Sequence, residues 1–406
     1  MTRRVLSHIR VLDMGRVLAA PLTAQLLGDL GAEVIKVERP GTGDEFRFSM
    51  PKVKDETGES IGESAFFCSF NRGKKSITVN LTHPDGLALV REMADKCDVL
   101  IENYKVGDLA RRGLGYEDLS KTNPRLIYCS ITGFGQSGPY RSRPAYDPIL
   151  QAMGGLMAVT GNPDDQPGGG PVKIGPSIID ILTAQNGSSA ILAALLQREQ
   201  TGHGQHIDLA LMDSCVAALT QHAIGYLNGG DEPQRMGTDT IGNSPSGMYR
   251  CSDGAIMLVV GNEGQFARLC ETVGCAHLIG DSRFTSKMAR VANRDLLRRE
   301  LEKGFSKFTV KAALAALEKA VVVAGKFNEF PEVFEDPQVK HRKLVVDVPH
   351  PKNAKMRLIA SPIRLPDSPI SYAPPPLLGE HTDWVLKQWL GKTDAEIQKL
   401  RDAGAI

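Results

Sequence analysis

One aspartate stands where a carboxylate could do chemistry. Asp180 ends the segment Pro171–Asp180 and lies among apolar residues, at or just inside the start of a long helix. The unpaired N–H groups of a helix N-terminus favour a carboxylate there, so one interpretation is a helix cap. The other is a nucleophilic or proton-transferring carboxylate in a partly dry site. The local pattern by itself favours the cap.

A tyrosine and a second aspartate follow a glycine-rich stretch. Gly133–Pro139 precedes the run Tyr146-Asp147-Pro148. One interpretation is a turn with a partly exposed tyrosine. The other is a mobile loop that carries a hydroxyl and a carboxylate to a cleft, because functional side chains are often placed on loops.

Several cations lie near the predicted ends of strands, close in sequence to the pair Asn103-Tyr104. Any one of them could be a solvated surface charge. Together, with an aromatic side chain among them, they suit a phosphorylated ligand that bears an adenine ring. The cations are Arg39, Arg72, Lys74, Lys75 and Arg111.

The first half of the chain alternates strand and helix patterns. Alternation of this kind predicts the α/β class, with a mostly parallel sheet and helices on both faces. Ligands bind such sheets beyond the carboxyl ends of the strands. Strands are predicted at 9–14, 33–38, 76–81, 98–102, 125–131 and 206–210, and helices at 22–30, from Pro84 and at 178–196.

A change in composition divides the chain into domains. Gly, Asn, Asp and Pro become frequent around residues 225–250, which marks a boundary. We expect a large Rossmann-like domain, a connecting helix or linker, and a small αβ domain. Their expected ranges are 1–200 with 350–406, 201–229 and 230–345, respectively.

The small domain and the tail also carry local signals. A strand is predicted at 255–260, and helices are predicted near 263–273 and 293–303. The prolines from Pro362 to Pro376 are typical of an extended strap across the surface. A helix at Thr382–Trp389 is predicted to close the chain.

The composition excludes several classes of protein. Lys and Arg number 48 and Asp and Glu 47, which gives a formal net charge of +1 at pH 7. We therefore expect no nucleic acid and no membrane surface as a partner through bulk charge. Seven scattered cysteines argue against a disulfide framework or a metal site and suit reduced thiols in the cytoplasm. No signal peptide or membrane span is predicted.

The loop after the first strand does not fit a nicotinamide enzyme. A dinucleotide site would need Gly-x-Gly-x-x-Gly there, but Gly15–Pro21 contains one glycine. A Walker phosphate loop is absent as well, because Gly43-Asp44 and Gly73–Ser76 lack the required spacing.

Eight segments in order resemble the class III CoA-transferases, the family that includes formyl-CoA transferase and the carnitine CoA-transferases. The similarity covers nearly the whole chain. It implies an enzyme whose substrates are coenzyme A thioesters and small carboxylic acids, with no permanently bound cofactor. The segments are Val11–Pro21, Leu30–Glu38, Asn71–Ser76, Val99–Tyr104, Gly113–Tyr116, the Asp180 region, Thr201–Gln205 and Leu378–Thr382.

The resemblance implies roles for single residues. Asp180 takes the position of the family's catalytic aspartate, which forms anhydride and aspartyl-CoA thioester intermediates. Tyr146 and Asp147 match a tyrosine-acid pair near the thioester, although Pro144 stands where a basic residue is expected. The implied CoA contacts are Leu18 and Ala19 by their backbone, Arg39, Asn71, Arg72, Gly73, Lys74, Asn103, Tyr104, Lys105 and Arg111.

Two loops point to a branch of the family. The glycine-rich loop that shields the intermediates in formyl-CoA transferase is not obvious, and Gly242–Gly247 is the nearest candidate. The chain therefore resembles more closely the branch that uses succinyl-CoA and small dicarboxylic acids. Lys326 could pair with the distal carboxylate of such an acid, or it could be an ordinary surface lysine. The resemblance also implies a homodimer of two interlocked rings.

Three alternatives stay open. An α-methylacyl-CoA racemase resembles this family in fold but has His-Asp where this chain has Tyr146-Asp147. Tyrosine is a poor base at neutral pH, since its usual pKa is about 10. A thioester hydrolase would need an activated water. A non-catalytic CoA-binding protein would not need Asp180, so retained biological activity in Asp180→Ala would support it.

Overall fold

The structure is a computed structural model that describes residues 4–230 and 232–406. These residues form two compact units. The first contains everything described up to Leu156, together with Ile174–Ile224 and Gln338–Ile406. The second contains Met157–Lys173 and the described part of Gly225–Pro337. The ranges of the domains expected from the sequence stay a prediction.

A parallel sheet forms the centre of the first unit. Six of the first eight strands pair in parallel in the order β5-β2-β1-β6-β7-β8, and β3 and β4 form a separate antiparallel pair. The predicted α/β class with a parallel sheet is confirmed. The strands are β1 (Arg10–Asp13), β2 (Glu33–Glu38), β3 (Lys52–Lys54), β4 (Ser60–Ser64), β5 (Lys75–Thr78), β6 (Val99–Glu102), β7 (Ile127–Thr132) and β8 (His206–Ala210).

The strand order reverses between β1 and β6. The chain builds outward from β1 through β2 to β5, and then returns to place β6 on the other side of β1. A crevice opens at such a switch point beyond the carboxyl ends of the two strands, and ligands bind there in open α/β sheets. The loops that follow Asp13 and Glu102 therefore flank the expected ligand crevice.

Helices cover both faces of the sheet. Val11, Val34 and Val99 point into one apolar core, and their neighbours Leu12 and Leu100 point into the other. Both faces of the strands are therefore apolar, as expected for a parallel sheet. The helices up to residue 230 are α1 (Ala19–Asp29), α2 (Ala65–Phe70), α3 (Pro84–Ala94), α4 (Tyr116–Leu119), α5 (Asp147–Met153), α6 (Leu156–Val159), α7 (Ile178–Thr201), α8 (Leu211–Ala218) and α9 (Gln221–Gly229).

Helix α7, which carries Asp180, packs closely against α1. A Cβ atom at the buried Gly187 would lie 3.0 Å from Oγ1 of Thr23 on α1, so a larger residue would push the helices apart. The helix ends at Gly202, whose φ of 77° is the left-handed conformation that glycine adopts readily. By length and composition alone α7 could cross a membrane; its buried residues pack on α1 and the sheet.

The second unit has its own antiparallel sheet and core. Its three strands pair in the order β11-β10-β9, and Tyr249, Leu258 and Phe305 lie in the apolar core beside them. The predicted strand and two helices lie within two residues of the observed elements. The elements are β9 (Ser246–Arg250), β10 (Ala255–Val259), β11 (Val323–Lys326), α10 (Glu263–Thr272), α11 (Lys287–Ala292), α12 (Arg294–Phe305), α13 (Val310–Lys319) and α14 (Phe330–Glu335).

The chain ends with a helix that was not predicted. The prediction that a helix at 382–389 closes the chain is wrong, because Thr393 and Glu396 form a capping box that starts another helix. Before the helix at 382–390, residues 360–377 form no helix or strand, and the carbonyl of Pro374 accepts a hydrogen bond from the Gly73 N–H. The elements are α15 (Pro337–His341), β12 (Val345–His350), β13 (Asn353–Ile359), α16 (Thr382–Leu390) and α17 (Asp394–Asp402).

Candidate active site

Asp180 lies in the first turn of α7 and is partly buried. Burial, and then the negative charge of Asp147, raise the pKa of its carboxyl from the ordinary 3.8 to about 7. A carboxylate with a pKa near neutrality is more basic, and hence more nucleophilic, than an ordinary aspartate. This environment suits a carboxylate that reacts.

Asp147, not Asp180, caps the start of α7. Its Oδ2 accepts hydrogen bonds from the N–H groups of Ile179 and Asp180 at 2.7 and 3.2 Å. Its Oδ1 accepts one from Nε2 of Gln151 at 2.6 Å, and only 3% of Asp147 is exposed. The carboxylate therefore satisfies the unpaired N–H groups that the helix start would otherwise leave. It orients the turn that carries Asp180 and sets the charge beside it.

Gln151 extends this support. Its Oε1 accepts a hydrogen bond from the N–H of Ile174 at 2.9 Å, on the chain that leads into α7. Gln151 is fully buried on α5, one helical turn after Asp147. Sequence reasoning missed it, although its i+4 spacing from a candidate acid was a signal that both residues share a helix face.

Tyr146 lies at the surface beside this group. It precedes α5 in an extended conformation, and 68% of it is exposed. The structure therefore places the tyrosine next to Asp147 in the chain but leaves the ring accessible. Its role near the thioester stays a prediction.

The loop after β1 is held in a strained conformation at the switch point. Val17 has a φ of 68°, which a β-branched residue rarely adopts. Its N–H donates to Oδ1 of Asp44 at 3.2 Å, and the carbonyl of Gly15 accepts from Nζ of Lys36 at 2.8 Å. Leu18 follows at the start of α1, where N–H groups are unpaired. Such a loop can offer its backbone to an anionic or amide-bearing ligand.

Asn71 and Lys74 point into the protein. The buried ammonium of Lys74 donates to Oδ2 of Asp13 and to the carbonyl of Pro21, both at 2.7 Å, and to Oδ1 of Asn71 at 2.8 Å. Burial lowers the pKa of Lys74 to about 8. These side chains are occupied in joining the end of β1 to the start of α1. Lys74 is therefore not a solvated surface charge, and its expected contact with CoA stays a prediction.

The neighbouring residues Arg72 and Gly73 lie closer to solvent. The guanidinium of Arg72 pairs with Asp29, with Nε at 3.0 Å from Oδ1, and its backbone N–H donates to Gln25. Gly73 has a φ of 71° and is exposed. The expected contacts of this segment with CoA stay a prediction.

Arg39 and Tyr104 follow the carboxyl ends of β2 and β6, and a cation that sequence reasoning missed lies against the tyrosine ring. The guanidinium of Arg16 lies 4.7 Å from the ring centre of Tyr104. Burial raises the pKa of the Tyr104 hydroxyl, and the nearby charges of Arg16, Lys36 and Arg39 act in the opposite direction. Arg16 gave a weak signal, because it stands directly before the backbone segment expected to bind CoA.

Asn103 ties the two loops of the switch point together. Its Oδ1 accepts a hydrogen bond from the Arg16 N–H at 2.9 Å, and its Nδ2 donates to the Arg16 carbonyl at 2.7 Å. Lys105 and Arg111 are both exposed further along the same segment, and Arg111 pairs with Asp108. The structure thus brings Leu18, Arg39, Asn103 and Tyr104 to one edge of the sheet.

Two candidates lie in the second unit. Ser246 and Gly247, the end of the candidate shielding loop, form the start of β9, so the free loop is shorter than expected. The carbonyl of Ser244 in this segment accepts a hydrogen bond from Nε of Arg290 at 2.9 Å. Lys326 forms an exposed ion pair with Glu332.

Comparison with known proteins defines the class. The chain matches CoA-transferase family III over residues 6–382, and it belongs to this family of enzymes. The family predicted from the sequence is confirmed.

Two CoA-transferases and one solved structure are similar to this chain over most of its length. The chain is 42% identical to a succinyl-CoA:glutarate CoA-transferase of Mus musculus, over 99% of this chain and 90% of that protein. It is 43% identical to a succinate–glutarate CoA-transferase of Agrobacterium fabrum, over 94% of this chain and 95% of that protein. It also resembles the crystal structure of a CAIB/BAIF family protein from Brucella suis, with a TM-score of 0.83 and 41% sequence identity. The similarity covers 94% of this chain and 98% of that one.

Proposed function

We propose that this protein transfers CoA from succinyl-CoA to a small dicarboxylic acid, and that glutarate is the first acceptor to test. The support is the similarity, over nearly the whole chain, to two proteins whose names state succinate or succinyl-CoA and glutarate. Membership of the family supplies the class of reaction.

The observation that carries the chemistry is the environment of Asp180. Its carboxyl is partly buried and has a raised pKa, while Asp147 satisfies the helix N–H groups beside it. The carboxylate of Asp180 is therefore available to attack a thioester carbonyl.

The proposed reaction has four steps in two symmetrical halves. The Asp180 carboxylate attacks the thioester carbonyl of succinyl-CoA, which forms a mixed anhydride and releases CoA thiolate. The thiolate attacks the aspartyl carbonyl, which forms an aspartyl-CoA thioester and releases succinate. The acceptor carboxylate attacks this thioester, which forms a second anhydride and releases CoA thiolate again. The thiolate then attacks the acceptor's acyl carbonyl. The new acyl-CoA leaves and Asp180 is regenerated.

The two loops at the switch point are proposed to hold the CoA part of the substrate. Leu18 and Ala19 offer their backbone, and Arg39, Asn103, Tyr104, Lys105 and Arg111 supply side chains. Asn71, Arg72, Gly73 and Lys74 support the same edge, with Asn71 and Lys74 acting from inside the protein. Tyr146 is proposed to lie near the thioester. CoA is a substrate in this proposal, and no permanently bound cofactor takes part.

We also propose an interlocked homodimer in a reducing compartment such as the cytoplasm. Large apolar side chains on α7, α8 and α9 are exposed in the single chain, among them Leu196 at 71% and Leu227 at 72%. A second copy of the chain would cover such surfaces. All seven cysteines are free and six are buried, which suits reducing conditions.

A panel of acids tests the substrate proposal. Succinyl-CoA is supplied as donor with oxalate, malonate, glutarate, adipate or a monocarboxylate as acceptor, and the acyl-CoA products are separated and measured. We expect transfer to glutarate, loss of at least a thousandfold in rate in Asp180→Asn, as for other covalent nucleophiles, and an unchanged rate in Asp213→Asn. Asp213 is the matched control because it lies in the first turn of α8 and is exposed.

Other outcomes contradict the proposal. Transfer to a monocarboxylate but to no dicarboxylate would correct the acceptor class. No transfer with any acid, together with deuterium uptake at the α-carbon of a methyl-branched acyl-CoA, would favour the racemase alternative. CoA binding without any turnover would favour the non-catalytic one.

A further inference from the structure

Glu102 is a buried carboxyl that the proposed reaction does not use. It ends β6 at the switch point, and only 6% of it is exposed. Its Oε2 accepts a hydrogen bond from the backbone N–H of Tyr104 at 2.7 Å. The side chain therefore closes the turn Glu102-Asn103-Tyr104 on itself, as an acidic residue at the start of a turn can do.

Two further polar residues follow across the sheet from this carboxyl. Ser130 is the register partner of Glu102 on β7; burial raises the pKa of Glu102, and the Ser130 hydroxyl acts in the opposite direction. The hydroxyl of Ser130 lies 2.9 Å from Nε2 of His206 on β8. Glu102, Ser130 and His206 thus lie on three neighbouring strands. His206 is exposed, and its ring stacks on Tyr116 with centroids 5.4 Å apart.

The turn that Glu102 closes also positions the loop after β1. Asn103, in the middle of the turn, binds both backbone polar groups of Arg16. Tyr104, at its end, supports the guanidinium of Arg16. Arg16 is followed directly by the strained Val17 and then by Leu18. A shift of the turn would therefore move both loops that flank the crevice.

The carboxyl is retained at a cost in free energy. Glu38, at the equivalent end of β2, is neutralised by Arg47 at 2.7 Å. Around Glu102 the charge that acts is the negative one of Asp108, and burial raises the pKa of Glu102 to about 7. Burying a carboxyl costs free energy, which its hydrogen bonds offset only in part. A role of those hydrogen bonds that an apolar residue could not fill would explain why a carboxyl stands here.

We propose that Glu102, supported by Ser130, is a positioning residue for coenzyme A binding: it holds the two loops of the switch point in the arrangement that receives the CoA part of the substrate. The inference rests on the proposed function for the identity of the ligand. It concerns binding rather than chemistry, because Glu102 acts through Asn103 and Tyr104 and not on the reacting atoms.

Equilibrium binding of free CoA to the full-length protein tests this role. The dissociation constant is measured by calorimetry for the wild type, Glu102→Ala, Glu102→Gln and Ser130→Ala. We expect Glu102→Ala to weaken CoA binding roughly tenfold, because a charge-assisted hydrogen bond to the turn is lost. Glu102→Gln should restore binding to within about threefold, since its amide oxygen still accepts from Tyr104.

Two further readouts separate positioning from general damage. Ser130→Ala should weaken binding about threefold, less than Glu102→Ala does. The transfer rate at saturating succinyl-CoA should stay within about twofold of wild type in Glu102→Gln, because the reacting groups are untouched. Glu56→Ala is the control. It removes an exposed glutamate paired with Lys355 and should leave CoA binding unchanged.

Several outcomes overturn the inference. Wild-type affinity in a folded Glu102→Ala variant would do so, as would Glu102→Gln binding as weakly as Glu102→Ala. If Glu102→Ala does not fold, wild-type affinity in Ser130→Ala decides against it. A wild type that binds CoA but transfers none removes the proposed function and leaves this test valid, whereas a wild type that binds no CoA removes both.

Discussion

At the scale of single residues, the candidate site rests on the division of work between two aspartates. Asp147 is buried and makes three hydrogen bonds, two of them to the start of α7. Asp180 directly follows Ile179 in α7, and Asp147 rather than the Asp180 carboxyl caps the helix. Two carboxylates in one site often differ in this way, because each takes its role from its surroundings. Residue type alone does not assign these roles.

This division predicts how activity depends on pH. Only the ionised form of Asp180 can attack a thioester, and its pKa is about 7, so the rate of CoA transfer at low acyl-CoA should fall as the pH drops through about 7. Removing the charge of Asp147 lowers the pKa of Asp180, and Asn still accepts a helix hydrogen bond. Asp147→Asn should therefore move the acid limb to lower pH in a pH–rate profile.

The same pKa bears on stability, which gives an independent check. The folded state binds more protons than the unfolded state between the ordinary value of 3.8 and about 7. The free energy of unfolding contributed by Asp180 is thus highest below 3.8 and is lost as the pH rises through about 7. As the pH rises from 3.8 through about 7, the free energy of unfolding of Asp180→Asn should therefore increase relative to that of the wild type, measured by denaturant titration. The raised pKa of Asp180 would be contradicted by a rate that does not fall as the pH drops through about 7. It would also be contradicted by a stability difference between wild type and Asp180→Asn that is the same at every pH.

At the scale of elements, much of the fold is readable from the sequence. Strands β2 and β8 have the bounds that were predicted, because each is a short β-rich run between clear breaks. Helix α1 starts at Ala19 rather than Leu22, since Pro21 is tolerated within the first turn. Helix α17 was missed, although Thr393-x-x-Glu396 is a recognised start signal.

The site was less predictable than the elements, because its contacts join distant parts of the chain. The N–H groups at the start of α7 are bound by Asp147, more than thirty residues earlier in sequence, as the separation of 33 to Asp180 shows. Lys74 gave the same sequence signal as the exposed Arg39, but it is buried against Asp13. A charged residue's direction depends on its tertiary surroundings, which local patterns do not contain.

At the scale of the whole molecule, the proposed homodimer predicts a simple physical behaviour. Two interlocked chains cannot separate without unfolding, so dilution should not release folded monomers. We expect light scattering to give twice the mass of 44.0 kDa at every concentration at which the protein stays folded. A mass that falls reversibly to that of one chain, with the fold retained, would exclude interlocking.

The proposed reaction depends on a covalent bond at Asp180, and trapping that bond tests the reaction most directly. The protein is incubated with succinyl-CoA and then with hydroxylamine, which converts an aspartyl anhydride or thioester into a hydroxamate, and the modified peptide is mapped by mass. We predict modification at Asp180 that is absent in Asp180→Ala and present in Asp213→Asn. Turnover of succinyl-CoA with an unmodified Asp180, or with a label on another residue, would contradict the account.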